Sequence, residues 1–257
     1  MQPDPQPICI ADDASFWPWL TWADFADRAQ NAATTVIVPV VGFCDWGLGH
    51  AYDAEEQVMT RLLQAALASR PSNAPRMLMI PPLRFVIGSN AGCICTVTPP
   101  VAHAFIDEIL ETIAVAGFTR VLLCNSSPWN EELIDAAARD IRISRGLQMF
   151  CINLSALELD FHPVRSRSRR QLQTLITYLT GRTPETADGV PPRAQHADFP
   201  EDGVQVLADL AASADEVERE GQALFAAAST RLAALFEEIN FRPPLPRNGA
   251  LEMRTYP

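Results

Sequence analysis

Lysine is absent from this 257-residue chain, and all twenty basic residues are arginine. The codon bias of a GC-rich genome is the simplest origin. Acidic residues outnumber basic ones by 31 to 20, for a formal net charge of -11. A surface so short of positive charge argues against nucleic-acid binding, which depends on neutralising phosphates. The one basic cluster, Arg165, Arg167, Arg169 and Arg170, reads as a solvated helix start. Long apolar runs are also missing, and none approaches the roughly 18 residues of a membrane span. The opening MQPDPQPICIADDASFW has no basic start, apolar stretch or small-residue cleavage site, so no secretory signal is expected. The chain is expected to be soluble and cytoplasmic, with no membrane partner.

Paired CxxC spacing is absent too. The six cysteines are Cys9, Cys44, Cys93, Cys95, Cys124 and Cys151. Without that spacing a structural zinc site is not expected, and a cytosolic chain of this size does not call for a disulfide framework. Cys124 and Cys151 lie inside apolar runs and read as small buried hydrophobes.

What is present is apolar content, 48% of residues, enough to bury one sizeable core. Strand-like and helix-like segments alternate. Residues 35–42, 76–83, 120–125 and 147–154 read as strands. Residues 54–69, 98–117, 130–143 and 215–239 read as helices. Helix 54–69 sets Val58, Leu62, Ala65 and Ala66 near one face, and the last helix repeats Val217, Leu224, Ala228, Leu232 and Leu235. This alternation predicts βαβ units in a layered α/β/α domain with a mostly parallel sheet. Such folds place their sites at the carboxyl ends of the strands, which points to the loops 42–53, 84–97, 125–130 and 154–168. The expected organisation is an aromatic-rich N-terminal extension (1–29), one α/β domain (30–240) and a Pro-rich tail (241–257). Residues 182–203 read as a surface loop. In FWPWLTW (16–22) the clustered tryptophans predict either packing on the domain or a subunit contact.

Residues 36–68, 79–97 and 117–141, with the motifs VGFCDWGLGH, IPPLRF and GFTRVLLCNSSPWN, together resemble the creatininase family of metal-dependent amidohydrolases. VIVPVVGFCDWGLGHAYDAEEQVMTRLLQAALA (36–68) is similar to that family's first strand, its V-x-P-x-G-S-x-E-x-H-G-x-H-L-P loop and its first helix. MIPPLRFVIGSNAGCICTV (79–97) resembles the family's L-P-P-L-x-Y-G and the P-G-T-x-S-L turn after it. GFTRVLLCNSSPWNEELIDAAARDI (117–141) resembles its G-F-x-R-I-x-x-x-N-G-H-G-G-N and the following helix. The resemblance covers about residues 30–240. It implies a creatininase-like α/β fold and, from the family's habit, a homo-oligomer.

The resemblance also implies which positions should hold two divalent metals, and most have changed. Asp45 stands at the glutamate position, Gly47 at the first histidine, Glu56 at the aspartate and Ser127 at the N-G-H histidine. Trp129 stands where some relatives carry glutamate. In SRRQLQT (168–174), Ser168 and Gln173 match a later histidine and glutamate. A bridged pair of metals needs several imidazole and carboxylate donors. Gly47 offers none, and Trp129 cannot ligate. No metal or other cofactor is therefore expected, or at most a single hard divalent cation held weakly by Asp45 and Glu56.

The candidate catalytic residues are Asp45, His50 and Glu56. The candidate pocket residues are Cys44, Trp46, Asn125, Ser127 and Trp129. Structural roles compete with these. His50 is expected to support its loop, Asp53 and Glu55 to form the acidic first turn of a helix, and Asn125 and Asn130 to form turns and N-caps. Cys44 with His50 admits a thiolate nucleophile if the two meet. Two functions remain open. One is a non-catalytic, regulatory or binding subunit, taking a small-molecule ligand or pairing with a creatininase-like paralogue. The other is a remodelled amidohydrolase acting on a C–N bond of a small cyclic amide with one metal or none.

Overall fold

The computed structural model describes residues 15–44, 50–88, 93–159, 168–181 and 214–243. After the short helix α1 (Arg28–Ala33), the chain enters β1 (Thr35–Val41), all of whose residues are buried. There follow β2 (Phe43–Cys44), α2 (Ala54–Ala68), β3 (Met77–Met79), β4 (Leu83–Arg84), β5 (Val86–Ile87), β6 (Cys93–Ile94) and β7 (Thr96–Val97). The second half runs α3 (Pro99–Val115), β8 (Arg120–Asn125), α4 (Glu131–Arg145), β9 (Gln148–Asn153), α5 (Ser168–Thr180) and α6 (Ala214–Phe241).

The main sheet is parallel, in the order β3-β1-β8-β9, and β4 pairs with the far end of β1. The β-branched residues of β1 alternate between two cores, as the period of a strand requires. Ile37 and Val41 face α2, α5 and α6, joining Val58, Leu62, Leu175, Ile176, Leu232 and Phe236. Val36, Val38 and Val40 face α3 and α4, joining Ile106, Leu110, Ile134 and Ile141. The layered α/β/α architecture expected from the alternation is thus present.

Three local features depart from the sequence reading. The strand read over 76–83 is stopped by Pro81 and Pro82 as expected, but a separate short strand, β4, resumes at Leu83. Helix α5 begins at Ser168, within the basic cluster that read as a helix start, but its span to Thr180 was not among the helices read from the sequence. The short pairs β2–β6 (antiparallel) and β5–β7 (parallel) lie in segments that read as loop.

The aromatic segment packs on the domain. Phe16 bridges to Met79, and Trp17 lies against Phe25 and Phe118 with ring centroids 4.8 Å away in each case. Trp22, by contrast, is 85% exposed. At the other end, Arg120 reaches from the start of β8 to the last carbonyls of α6. It donates to Ile239 O and, at 3.0 Å, to Arg242 O. Gln148 adds a bond to Pro243 O at 3.1 Å. These donors tie down the last turn of α6 and the two residues that follow it. No described helix is long and apolar enough to cross a membrane. The loop 182–203 and the tail beyond Pro243 lie outside the described residues, as do Arg165 and Arg167 and the side chains of Arg169 and Arg170.

Candidate functional site

The carboxyl ends of β1 and β8 meet at Gly42 and Ser127. A Cβ on Gly42 would sit 2.5 Å from Glu55 Oε2, 2.7 Å from Ser127 Oγ and 2.9 Å from Ser127 Cβ. Only glycine fits there, and its bare backbone lets Gly42 N donate to Glu55 Oε2 at 3.1 Å. Glu55 does lie in the first turn of α2, but its side chain turns inward and is fully buried, not solvated. Asp53 occupies the position before the helix and accepts from Gln57 Nε2 at 3.0 Å.

Glu56 is also buried, and its partner is a cation supplied by the chain. Arg84 Nε donates to Glu56 Oε2 at 2.9 Å and Arg84 Nη2 to Glu56 Oε1 at 2.7 Å. Both carboxylate oxygens are engaged in the fork-on-fork geometry that makes such pairs strong. Sequence reasoning did not single out Arg84. The only signal was an arginine at the variable position of the L-P-P-L-x-Y-G match, at the end of a strand.

On the β8 side, Asn125 Nδ2 donates to Ser127 O at 2.8 Å and to Asn153 Oδ1 at 2.9 Å, while its Oδ1 accepts from Ser127 N at 3.2 Å. It is a turn former, as its competing role predicted. The expectation for Asn130 needs correction. It stands at the start of α4 but makes no side-chain cap. Its amide instead bonds to β5 and its approach, donating to Phe85 O at 2.9 Å and accepting from Ile87 N at 3.0 Å. Those backbone groups lie across the fold, so no local pattern announced them.

Cys44 and Cys93 face each other across β2 and β6, with Sγ atoms 2.6 Å apart. The Cys44 thiol is held well above the usual thiol range, first by its hydrogen bond with Cys93, then by burial and by the charge of Glu55. The half-buried Trp129 beside it opposes this only weakly. A thiol so disfavoured as thiolate is not an activated nucleophile. Nor does His50 activate it: among the described residues no hydrogen bond joins the two. His50 Nε2 is buried without a hydrogen-bond partner, and burial lowers the imidazole pKa to about 4. The Ser127 hydroxyl and the Gln173 amide are likewise buried without hydrogen-bond partners. Asp45, Trp46 and Gly47 lie outside the described residues.

No family model and no curated protein matches the sequence. Solved structures do match. A creatinine amidohydrolase (creatininase) superposes with TM-score 0.59 at 16% identity, over 90% of this chain and 100% of that one. A putative creatinine amidohydrolase from Bacteroides fragilis NCTC 9343 gives TM-score 0.59 at 14% identity, over 91% and 99%. The chain has the creatininase fold. Structures of that fold include one described as a Mn form, with TM-score 0.59 at 16% identity over 90% and 100%. Another is a mutant of Zn-Zn type, with TM-score 0.60 at 17% identity over 89% and 98%.

The residues described here do not suit such a metal centre. Among them no three His, Cys, Asp or Glu side chains group as metal ligands do. Both oxygens of Glu56 already accept a hydrogen bond from Arg84, whose positive charge opposes a cation there. Ser127 offers only a neutral hydroxyl, and Trp129 has no lone pair to give a metal.

Proposed function

We propose that this chain is a non-catalytic member of the creatininase fold, a binding or regulatory subunit that associates with a catalytic relative. The observation that carries this reading is the Arg84–Glu56 pair. A carboxylate at a metal-ligand position of the resembled family is neutralised by a guanidinium, with both its oxygens in use. The substitutions at Gly47, in the loop 42–53, and at Ser127 and Trp129, in the loop 125–130, support the same reading, because they fall in two separate loops. The scaffold alone does not transfer the activity. We place the protein in the cytoplasm, as a homo-oligomer or a hetero-oligomer with a paralogue, and assign its pocket to a small-molecule ligand.

The test is elemental mass spectrometry on protein purified without a metal-binding tag, paired with an amide-hydrolysis assay. A metal content near zero that Zn²⁺, Mn²⁺ or Mg²⁺ does not raise, with no turnover, is expected. One tightly held ion per chain, or enzyme-like turnover by the chain alone, would overturn the reading.

A second reading draws on His50, whose neutral imidazole carries a buried, unpartnered Nε2. In it the chain is a remodelled amidohydrolase using Asp45, His50 and Glu56 with one metal or none. A base with a pKa near 4 is poorly matched to work at neutral pH, so this reading ranks second. Asp45→Ala and Glu56→Ala variants that fold but lose a measured activity would bring it forward.

A further inference from the structure

We propose that Cys44 and Cys93 form a reversible disulfide site, oxidised by low-molecular-weight disulfides and reduced by small thiols. The proposal does not depend on the non-catalytic reading. It starts from register. Cys44 on β2 stands directly opposite Cys93 on β6 in an antiparallel pair. Opposed residues in such pairs have Cα atoms about 4.5–5.5 Å apart, inside the range of about 4.4–6.8 Å that a disulfide spans. The side chains point at each other, and the Sγ atoms are 2.6 Å apart. Forming the bond therefore asks for no rearrangement of the backbone.

Access to the two sulfurs is unequal, which sets the order of events. Cys44 is buried and Cys93 is only half-buried. Cys93, as thiolate, attacks one sulfur of the small disulfide. That S–S bond breaks, one small thiol leaves, and a mixed disulfide remains on Cys93. Cys44 then gives its proton to solvent and attacks the Cys93 sulfur, releasing the second small thiol. In sum two protein thiols lose two protons and two electrons, and one small disulfide is reduced to two thiols. The new bond ties the end of the first strand's loop to a segment 49 residues away in sequence. It lies beside Trp129.

Cys95 is the competitor. It is exposed, two residues beyond Cys93, on a left-handed backbone with φ 58°. Its position is not opposite Cys44, and the inference excludes it from the bond.

The full chain, reduced and then equilibrated with oxidised glutathione, is acid-quenched, alkylated and digested with trypsin. Trypsin cuts only at arginine here. One peptide, 29–61, carries Cys44 as its single cysteine, and another, 85–120, carries Cys93 and Cys95. The expected product links these two peptides, lowers the alkylatable thiols from six to four, and reverts with dithiothreitol. The link persists in Cys95→Ser and is lost in Cys93→Ser. Cys44→Ser instead accumulates one glutathione on Cys93. Full alkylation of peptide 29–61 after oxidation, or a link that disappears in Cys95→Ser, would refute the assignment. Because the wild-type and Cys95→Ser maps already decide it, a misfolded Cys93→Ser protein does not weaken the test.

Discussion

Arg84 grips Glu56 through two parallel hydrogen bonds, Nε to Oε2 at 2.9 Å and Nη2 to Oε1 at 2.7 Å. The carboxylate is buried while the guanidinium keeps about a third of its side-chain surface in water, 34% against 8%. The pair is thus only half desolvated, and its loss is asymmetric. Arg84→Ala strands a buried negative charge, whereas removing both charges together leaves no charge unpaired. Arg84→Ala is expected to cost about 2 kcal/mol, in the range for hydrogen bonds to charged groups. Arg84→Met with Glu56→Gln should cost less than the sum of the single changes. Urea denaturation of the four proteins measures the coupling. A coupling of zero would show that the two side chains act independently.

Gly42 is the tightest backbone position at the site. Gly42→Ala puts a methyl within 3 Å of both Glu55 and Ser127. Overpacking of this kind costs about 1–3 kcal/mol and sometimes more. Ser127→Gly removes two of the three clashing atoms but leaves the carboxylate, so the double variant should recover part of the loss. Thermal denaturation reads both. A Gly42→Ala protein as stable as the parent would mean that Glu55 and Ser127 can swing away freely.

His50 gives a pH signature. Its pKa is about 4 in the folded chain, against about 6.5 in an unfolded one. Between these values the unfolded chain binds the proton and the folded chain does not. The stability tied to neutral His50 is therefore fully present above about pH 6.5 and is lost as pH falls toward 4. His50→Gln should flatten the dependence of the melting temperature on pH across that window. Equal slopes in the two proteins would contradict a buried, neutral imidazole.

Arg120 holds the C-terminal end of α6 by donating to Ile239 O and Arg242 O. Arg120→Met keeps much of the stem volume but strips the donors from two carbonyls. A loss of about 2 kcal/mol is expected, with the last turn of α6 fraying first. Amide hydrogen exchange should rise at residues 239–242 before it rises in β8. Uniform protection across α6 would place the anchor elsewhere.

The outcome at Asn125, Asn130 and Glu55 shows where reading the sequence stops. The turn at Asn125 was legible because its bonds to Ser127 span two positions in the chain. Asn130 was misjudged as an N-cap because its true partners, Phe85 and Ile87, are more than forty residues away. Glu55 looks like any first-turn acid, and only the approach of Gly42 and Ser127 shows that it faces inward.

The sequence by itself determined the layered parallel architecture, because strand and helix periods and proline stops are properties of neighbouring residues. Motif register also marked, as an expectation from the family resemblance, the positions where metal ligands would stand. Only the tertiary structure decided what stands at those positions now. Arg84 and Glu56 lie 28 residues apart and Cys44 and Cys93 lie 49 apart. Each pair meets because separate segments converge at the carboxyl end of β1, and no local pattern encodes a charge pair or a thiol pair formed across such a distance.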